Sequence, residues 1–225
     1  MTGGIFMSLI FKYILVVFCA YLLGSSSMSY YLAKLNHVDI RSKGSKNLGA
    51  SNAMMLMGWK AGIIVGLHDI GKSALAVILA NAFFSELPYI GAAAGVASVL
   101  GHIFPFYLRF KGGKGFASFI GMSLAINWKF ALILLVVVVI VTLITDYIVV
   151  GTVTTIISFP TYMGFASRSY VLPLILFIAT AVIIYNIVRI LCGFGMERRS
   201  GSAVPTVGIT ETKRRPEQLT IKEHS

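Results

Sequence analysis

Three short stretches hold most of the residues in this chain that could do chemistry. In "GHIFPFYLRFKGGKG", residues 101–115, an almost uncharged apolar segment runs into Arg109, Lys111 and Lys114, with Gly112, Gly113 and Gly115 set among the lysines. A membrane-exit loop needs the cations but has no use for the glycines. Glycine lets a backbone turn tightly and bring its N–H groups close to a ligand, and lysine supplies a point charge for phosphate. The stretch "DIRSKGSKNLGASNAM", residues 39–54, combines Arg41, Lys43 and Lys46 with Gly44, Ser45, Asn47, Gly49, Ser51 and Asn52. It offers N–H and hydroxyl donors beside cations, again the chemistry of a phosphate nest. Either loop alone fits a plain polar connection; two on one face of a membrane point to an anion. Finally, "YNIVRI" puts Asn186 and Arg189 three residues apart on one helical face. They are either aimed at an anion, or Arg189 snorkels toward headgroups.

Other polar groups sit within apolar runs. In "HDIGK", residues 68–72, Asp69 and Lys72 share a helical face, where they neutralise each other and hold the loops. A lone charge at that depth would cost about 2.5–3.5 kcal/mol on insertion scales. His102 fits a base as well as a hydrogen-bonded packing residue. No nucleophile stands at helical spacing from a base, and GxSxG and zinc-ligand patterns are absent. Covalent catalysis, a metal and a cofactor therefore have no sequence support. Cys19 and Cys192 lie in apolar stretches without partners and read as packing residues.

The elements that must position these groups are membrane helices. Of the 225 residues 57% are hydrophobic and 12% charged, with a mean hydropathy of +0.85. The net charge of +11 does not call for nucleic acid, because the cations fall between apolar spans. Spans are expected near 5–33, 61–83, 88–108, 115–128, 130–146, 150–166 and 171–191, in an all-α polytopic protein of about seven transmembrane helices. The fourth and sixth are short, and five spans result if both are re-entrant or interfacial. The first is expected to be a retained span, not a signal peptide. With seven spans and the N-terminus outside, 15 of the 19 Lys and Arg lie inside, so the C-terminus is cytoplasmic. Residues 1–195 read as the transmembrane domain. Residues 196–225 read as a polar, basic, disordered cytoplasmic tail, whose Lys213, Arg214 and Arg215 are solvated or touch anionic lipid.

From about residue 20 to 197 the chain resembles the acyl-phosphate-dependent glycerol-3-phosphate acyltransferases, the PlsY family. "DIRSKGSKNLGASN" is similar to the family's first motif, D-x-R leading into GSGNxGATN. "GHIFPFYLRFKGGKGFAS" is similar to GHxFPxxxxFKGGKGVAT, and "NIVRILCGFGME" to NIxRLxxGxE. Asp69 and Lys72 correspond to the family's DxxKG. The resemblance implies seven helices in a bacterial cytoplasmic membrane, with no metal, cofactor or acyl-enzyme. It also implies acyl transfer from acyl phosphate to the 1-hydroxyl of glycerol 3-phosphate, giving 1-acyl-glycerol 3-phosphate for phospholipid synthesis. The partners implied are these substrates, membrane lipids and the enzyme that produces the acyl phosphate.

Carried onto this sequence, phosphate binding falls to Lys111 and Lys114 with the backbone of Gly112 and Gly113. Arg41, Ser45, Lys46, Asn47, Gly49, Asn52 and His102 complete the substrate-binding set. Thr152 and Asn186 orient the acceptor and join Lys114 as catalytic residues. Thr152 keeps the hydroxyl of a family serine. The chain departs from the pattern at Met55, where the family has arginine, and at Lys46, which replaces a glycine. The third-motif histidine is either replaced by Ile183 or lost with four residues after Tyr185. A non-catalytic lipid-phosphate-binding or scaffold paralogue, or an acyltransferase with a changed acceptor, therefore stays open. A transporter fits less well, because the spans offer few polar groups at mid-membrane.

Overall fold

The structure is a computed structural model that describes residues 2–199; the expected polar tail falls largely outside the described residues. The described elements are helices: α1 Thr2–Ser25, α2 Met28–Leu35, α3 Ala50–Met57, α4 Trp59–Phe83, α5 Ile90–Ile103, α6 Phe116–Ile126, α7 Trp128–Thr145, α8 Ile148–Ser167 and α9 Val171–Arg199. A 3-10 turn, Phe106–Leu108, lies between α5 and α6. Contacts divide the chain after Arg189. The first unit holds the bundle and all the loops discussed below. The described part of the second is the last turns of α9.

Six segments are long and apolar enough to cross a membrane: Met7–Leu35, Trp59–Phe83, Ile90–Leu108, Trp128–Thr145, Ile148–Ser167 and Val171–Ile190. The protein is a multi-pass, all-α membrane protein. The span lengths correct the sequence reading in three places. The sixth, expected to be short, is the 20-residue α8, long enough to cross unaided. The fourth shrinks to the 11 residues of α6, about 16 Å at 1.5 Å per residue, and packs on α4 and α5. The first opens at three consecutive serines. There the Ser27 hydroxyl accepts the Tyr30 N–H at 3.4 Å and starts α2 afresh, since serine offers the backbone an alternative to the helical ladder.

α7 is apolar on every side, and its Leu132, Ile133, Val136, Val139, Ile140 and Leu143 are exposed, as a lipid-facing helix requires. α5 is the opposite case. It is buried along nearly its whole length and built from Gly91, Ala92, Ala94, Gly95, Ala97, Ser98 and Gly101. Small residues let helix backbones approach closely where lipid gives no hydrophobic drive to associate. Gly24 of α1 lies against the backbone of Ser98, Gly101 against the Tyr21 carbonyl, and Gly95 against Val77 and Met122. Ser73 of α4 and Ser98 of α5 share a hydrogen bond of 2.8 Å at the buried crossing.

These contacts set a comparison between two glycines. A Cβ at Gly24 would run into Ser98, whereas one at Gly71 meets nothing within 4 Å. Gly24→Ala should cost about 1–3 kcal/mol of overpacking, while Gly71→Ala should be neutral or stabilise by up to about 1 kcal/mol through helix propensity. Thermal unfolding in detergent checks the pair, and equal shifts would contradict the close α1–α5 crossing.

Candidate active site

The lysine loop is formed by the end of α5 and the start of α6. After Ile103 the chain turns through Pro105 and the 3-10 helix and reverses at Arg109 and Phe110, whose φ angles of 56° and 55° lie in the left-handed region. Such geometry costs about 1–2 kcal/mol per non-glycine residue, so the surroundings must enforce it. The Pro105 carbonyl accepts the N–H groups of Leu108 and Phe110, both at 3.1 Å. The Leu108 carbonyl accepts the Lys111 N–H at 3.3 Å and the Arg41 guanidinium at 3.3 Å. Gly112 N–H then donates to the Ile103 carbonyl at 2.9 Å and Gly113 N–H to the His102 carbonyl at 3.1 Å. These two carbonyls belong to the last turn of α5, where no intrahelical donor remains.

The amides of Gly112 and Gly113, assigned to phosphate from sequence, are therefore engaged inside the protein. Their glycine identity has another cause, which is close approach. A Cβ at Gly112 would strike the His102 carbonyl, and one at Gly113 the His102 imidazole. Gly115 is different again. Its φ of 98° favours glycine, and it starts α6 with no side-chain cap. The first N–H groups of α6 therefore have no intrahelical acceptor and present the positive end of the helix dipole next to Lys114. Lys111 and Lys114 are both exposed. A helix N-terminus flanked by lysines suits an anion.

The first loop is held by Asn52, which is fully buried on α3. Its side-chain oxygen accepts the Ser45 N–H at 2.9 Å, and its amide nitrogen donates to the carbonyls of Ile40, Lys43 and Asn47 at 3.0, 3.3 and 3.0 Å. Asn47 accepts the Gly49 N–H at 2.8 Å and donates to the Ser45 hydroxyl at 3.0 Å. Ser29 of α2 donates to the Leu48 carbonyl at 2.9 Å. The Ser42 hydroxyl, then the Arg41 N–H, hold the Asp39 carboxyl below its ordinary range. Lys46, which stands where the family pattern has glycine, takes φ of 53°, the conformation glycine adopts most readily. The loop ends at Gly49, which also starts its helix, α3, without a side-chain cap.

The two loops meet where Leu48 N–H reaches the Gly112 carbonyl at 3.5 Å. α9 joins them through Asn186, which is buried and donates to the Gly113 carbonyl at 3.0 Å while accepting from Arg189 at 2.9 Å. The Arg189 guanidinium also lies 5.9 Å from the centre of the Phe104 ring. Thr152 of α8 is buried, and its hydroxyl donates one turn back to the Ile148 carbonyl at 2.9 Å. That hydrogen bond stays within α8.

Below the lysine loop lies a charged cluster. Lys72 Nζ sits 2.9 Å from Asp69 Oδ1, 2.7 Å from the Ser26 carbonyl and 3.0 Å from His102 Nδ1. His102 Nδ1 is 3.4 Å from the same Asp69 oxygen. His68 Nδ1 lies 3.5 Å from it without hydrogen-bond geometry, and His68 Nε2 reaches the Ser26 hydroxyl at 3.1 Å. Asp69, Lys72 and His102 are all buried. Asp69 Oδ2 has no hydrogen-bond partner among the described residues. No group of three or more His, Cys, Asp or Glu suited to a metal occurs among the described residues.

The profile of the glycerol-3-phosphate acyltransferases matches residues 14–193. The chain belongs to this family. It is 39% identical over 183 residues to the glycerol-3-phosphate acyltransferase of Clostridioides difficile, covering 79% of this chain and 89% of that one. It is 35% identical over 173 residues to that of Chlorobaculum tepidum, covering 72% and 74%. In structure it is similar to the crystal structure of PlsY, an integral membrane glycerol 3-phosphate acyltransferase, in its glycerol 3-phosphate form. The TM-score is 0.73 at 34% identity, over 80% of this chain and 92% of that one.

Within the acyltransferase family's pattern, the departures noted from sequence fall beside these loops. Met55 is exposed, and its sulfur lies 3.3 Å from where a Cβ at Gly44 would stand. Ile183 is fully buried and packs on Gly115. Three features escaped the sequence reading. The helix start at Ala50 was hidden because α3 is only eight residues long. The contact between His102 and the Asp69–Lys72 pair spans 30 residues and has no local period. The knot around Asn52 looked like a set of ligand donors, because the same polar side chains serve either use.

Removing that knot gives a direct check. Asn52→Ala strands the Ser45 N–H and the carbonyls of Ile40 and Asn47, while the Lys43 carbonyl keeps the Lys46 N–H at 3.1 Å, and should cost about 3 kcal/mol. It should also speed trypsin cleavage after Lys43 and Lys46 in the folded protein. Unchanged cleavage would mean that Asn52 does not hold the loop.

Proposed function

We propose that this chain transfers a fatty acyl group from acyl phosphate to the 1-hydroxyl of glycerol 3-phosphate at the cytoplasmic face of a bacterial membrane. Membership of the glycerol-3-phosphate acyltransferase family makes it a membrane enzyme of that class and favours this reading over a scaffold. One observation carries the site. The Leu48–Gly112 hydrogen bond joins two basic loops, each of which leads within a few residues to the uncapped start of a helix, α3 or α6.

In the transfer, the acceptor hydroxyl oxygen attacks the carbonyl carbon of the acyl phosphate. An ester C–O bond forms, the bond from that carbon to the phosphate oxygen breaks, and inorganic phosphate leaves. The hydroxyl proton ends on a phosphate of the substrates, so no side chain need serve as base. Lys111 and Lys114 with the start of α6 hold phosphate and stabilise the charge that grows on it as it leaves. Lys46 stands opposite, on a loop that Ser45, Asn47, Gly49 and Asn52 keep in shape. Arg41 ties that loop to Leu108. Asn186 fixes the height of Gly113. Thr152 spends its proton on Ile148, so its remaining lone pair suits accepting a hydrogen bond from the acceptor. With α6 counted as a seventh crossing, the cation bias favours these loops and the C-terminus inside and the N-terminus outside. An acyl phosphate is a labile mixed anhydride with an apolar tail, and the enzyme that makes it is the protein partner expected at this face.

Purified protein given acyl phosphate and glycerol 3-phosphate should release inorganic phosphate and acylated product in equal amounts. Lys114→Ala should lower kcat/KM by about ten- to a hundredfold, the loss of one charge-assisted hydrogen bond, with little change in thermal stability. Full activity in the variant would contradict the site, and no turnover by the parent would contradict the substrates.

A further inference from the structure

We propose that Asp69, Lys72 and His102 form a positioning unit for the lysine loop, acting through the backbone of Gly113 and not on substrate. The inference rests on the phosphate-loop reading above. His102 fixes Gly113 twice. Its carbonyl accepts the Gly113 N–H at 3.1 Å, and its imidazole occupies the space a Gly113 side chain would need. The ring can serve as a floor only if it is itself held. Lys72 Nζ at 3.0 Å and Asp69 Oδ1 at 3.4 Å both face its Nδ1.

The same turn of α4 holds the far side of the loop. Ser118, in the first turn of α6, donates its hydroxyl to the Asp69 carbonyl at 3.2 Å. One helical turn, residues 69–72, therefore grips the chain before the lysines at His102 and after them at Ser118. Lys72 adds a third tie, to the Ser26 carbonyl at 2.7 Å, where α1 gives way to α2. Stability does not account for burying this pair. Replacing a buried ion pair by apolar residues of like size is often neutral or stabilising, while removing one partner is strongly destabilising. A fixed geometry at Gly113, and so at Lys114, is what the charges supply.

The test compares three variants in steady-state kinetics with both substrates, together with inhibition by inorganic phosphate. Lys114→Ala identifies which KM reports the lysine loop. The double variant Asp69→Asn, Lys72→Met removes both charges at nearly constant shape and leaves no uncompensated ion. His102→Phe keeps the ring volume and the charge pair but loses Nδ1. Both should raise the same KM as Lys114→Ala, and the inhibition constant of inorganic phosphate with it, by about tenfold. kcat of the double variant should fall no further than that of Lys114→Ala, because the unit acts only through the lysine loop, which holds phosphate in the ground state and stabilises its charge in the transition state. A rise in that KM in both, or in His102→Phe alone if the double variant does not fold, supports the proposal. A change confined to melting temperature, to kcat or to the other KM overturns it. If Lys114→Ala moves neither KM, the phosphate-loop reading fails, and this proposal with it.

Discussion

Everything around the site depends on one constraint, the need to satisfy a backbone that leaves its helix near the membrane boundary. α5 has 14 residues, about 21 Å, against a hydrocarbon core of about 30 Å. Water cannot be relied on there, and an unpaired carbonyl is costly. Five of the ten carbonyls of residues 104–113 are accordingly tied within the protein. Phe104 takes the Tyr21 hydroxyl at 2.7 Å, Pro105 takes two N–H groups, Leu108 takes Lys111 and Arg41, Gly112 takes Leu48, and Gly113 takes Asn186. The donors from outside the turn come from α1, the first loop and α9. Closing the backbone of one turn is thus what brings distant parts of the chain to the same place.

Cations serve two different ends in this arrangement. Lys72 is buried, matched by Asp69, and spends its donors on the Ser26 carbonyl and His102. Lys111 and Lys114 stand exposed beside an uncapped helix start. The first kind orders structure in a medium where an unmatched charge would not be tolerated. The second leaves positive charge available to a ligand, and the glycines between the lysines allow the loop to lie close enough to His102 for its shape to be inherited from the core.

The membrane architecture was legible because long apolar runs carry their own evidence. The span positions hold to within a few residues, except where local chemistry outweighed composition, as at the serine break before α2 and in the abbreviated α6. The glycine-rich loops were legible as loops, and their family motifs stood out. The use of each polar group was not. Gly112 and Gly113 looked like amide donors for phosphate, and they instead complete α5. Asn52 and Asn47 looked like ligands and are the ties of a knot. The partners of His102 were not legible, because they lie on another helix. A sequence lists donors and acceptors without saying which meet, and in a bundle whose helices cross at glycines the meetings are decided by tertiary approach. Met55 and Ile183, singled out only by comparison with a family pattern, do sit beside the two loops.

The central claim is that the lysine loop and the start of α6 hold a substrate phosphate. A crystal structure of the protein with glycerol 3-phosphate, and a second with inorganic phosphate, tests it most directly. The account predicts phosphate oxygens within hydrogen-bond reach of Lys111 or Lys114 and of the first N–H groups of α6 in at least one of them. Phosphate bound in both structures away from residues 109–118 would contradict it.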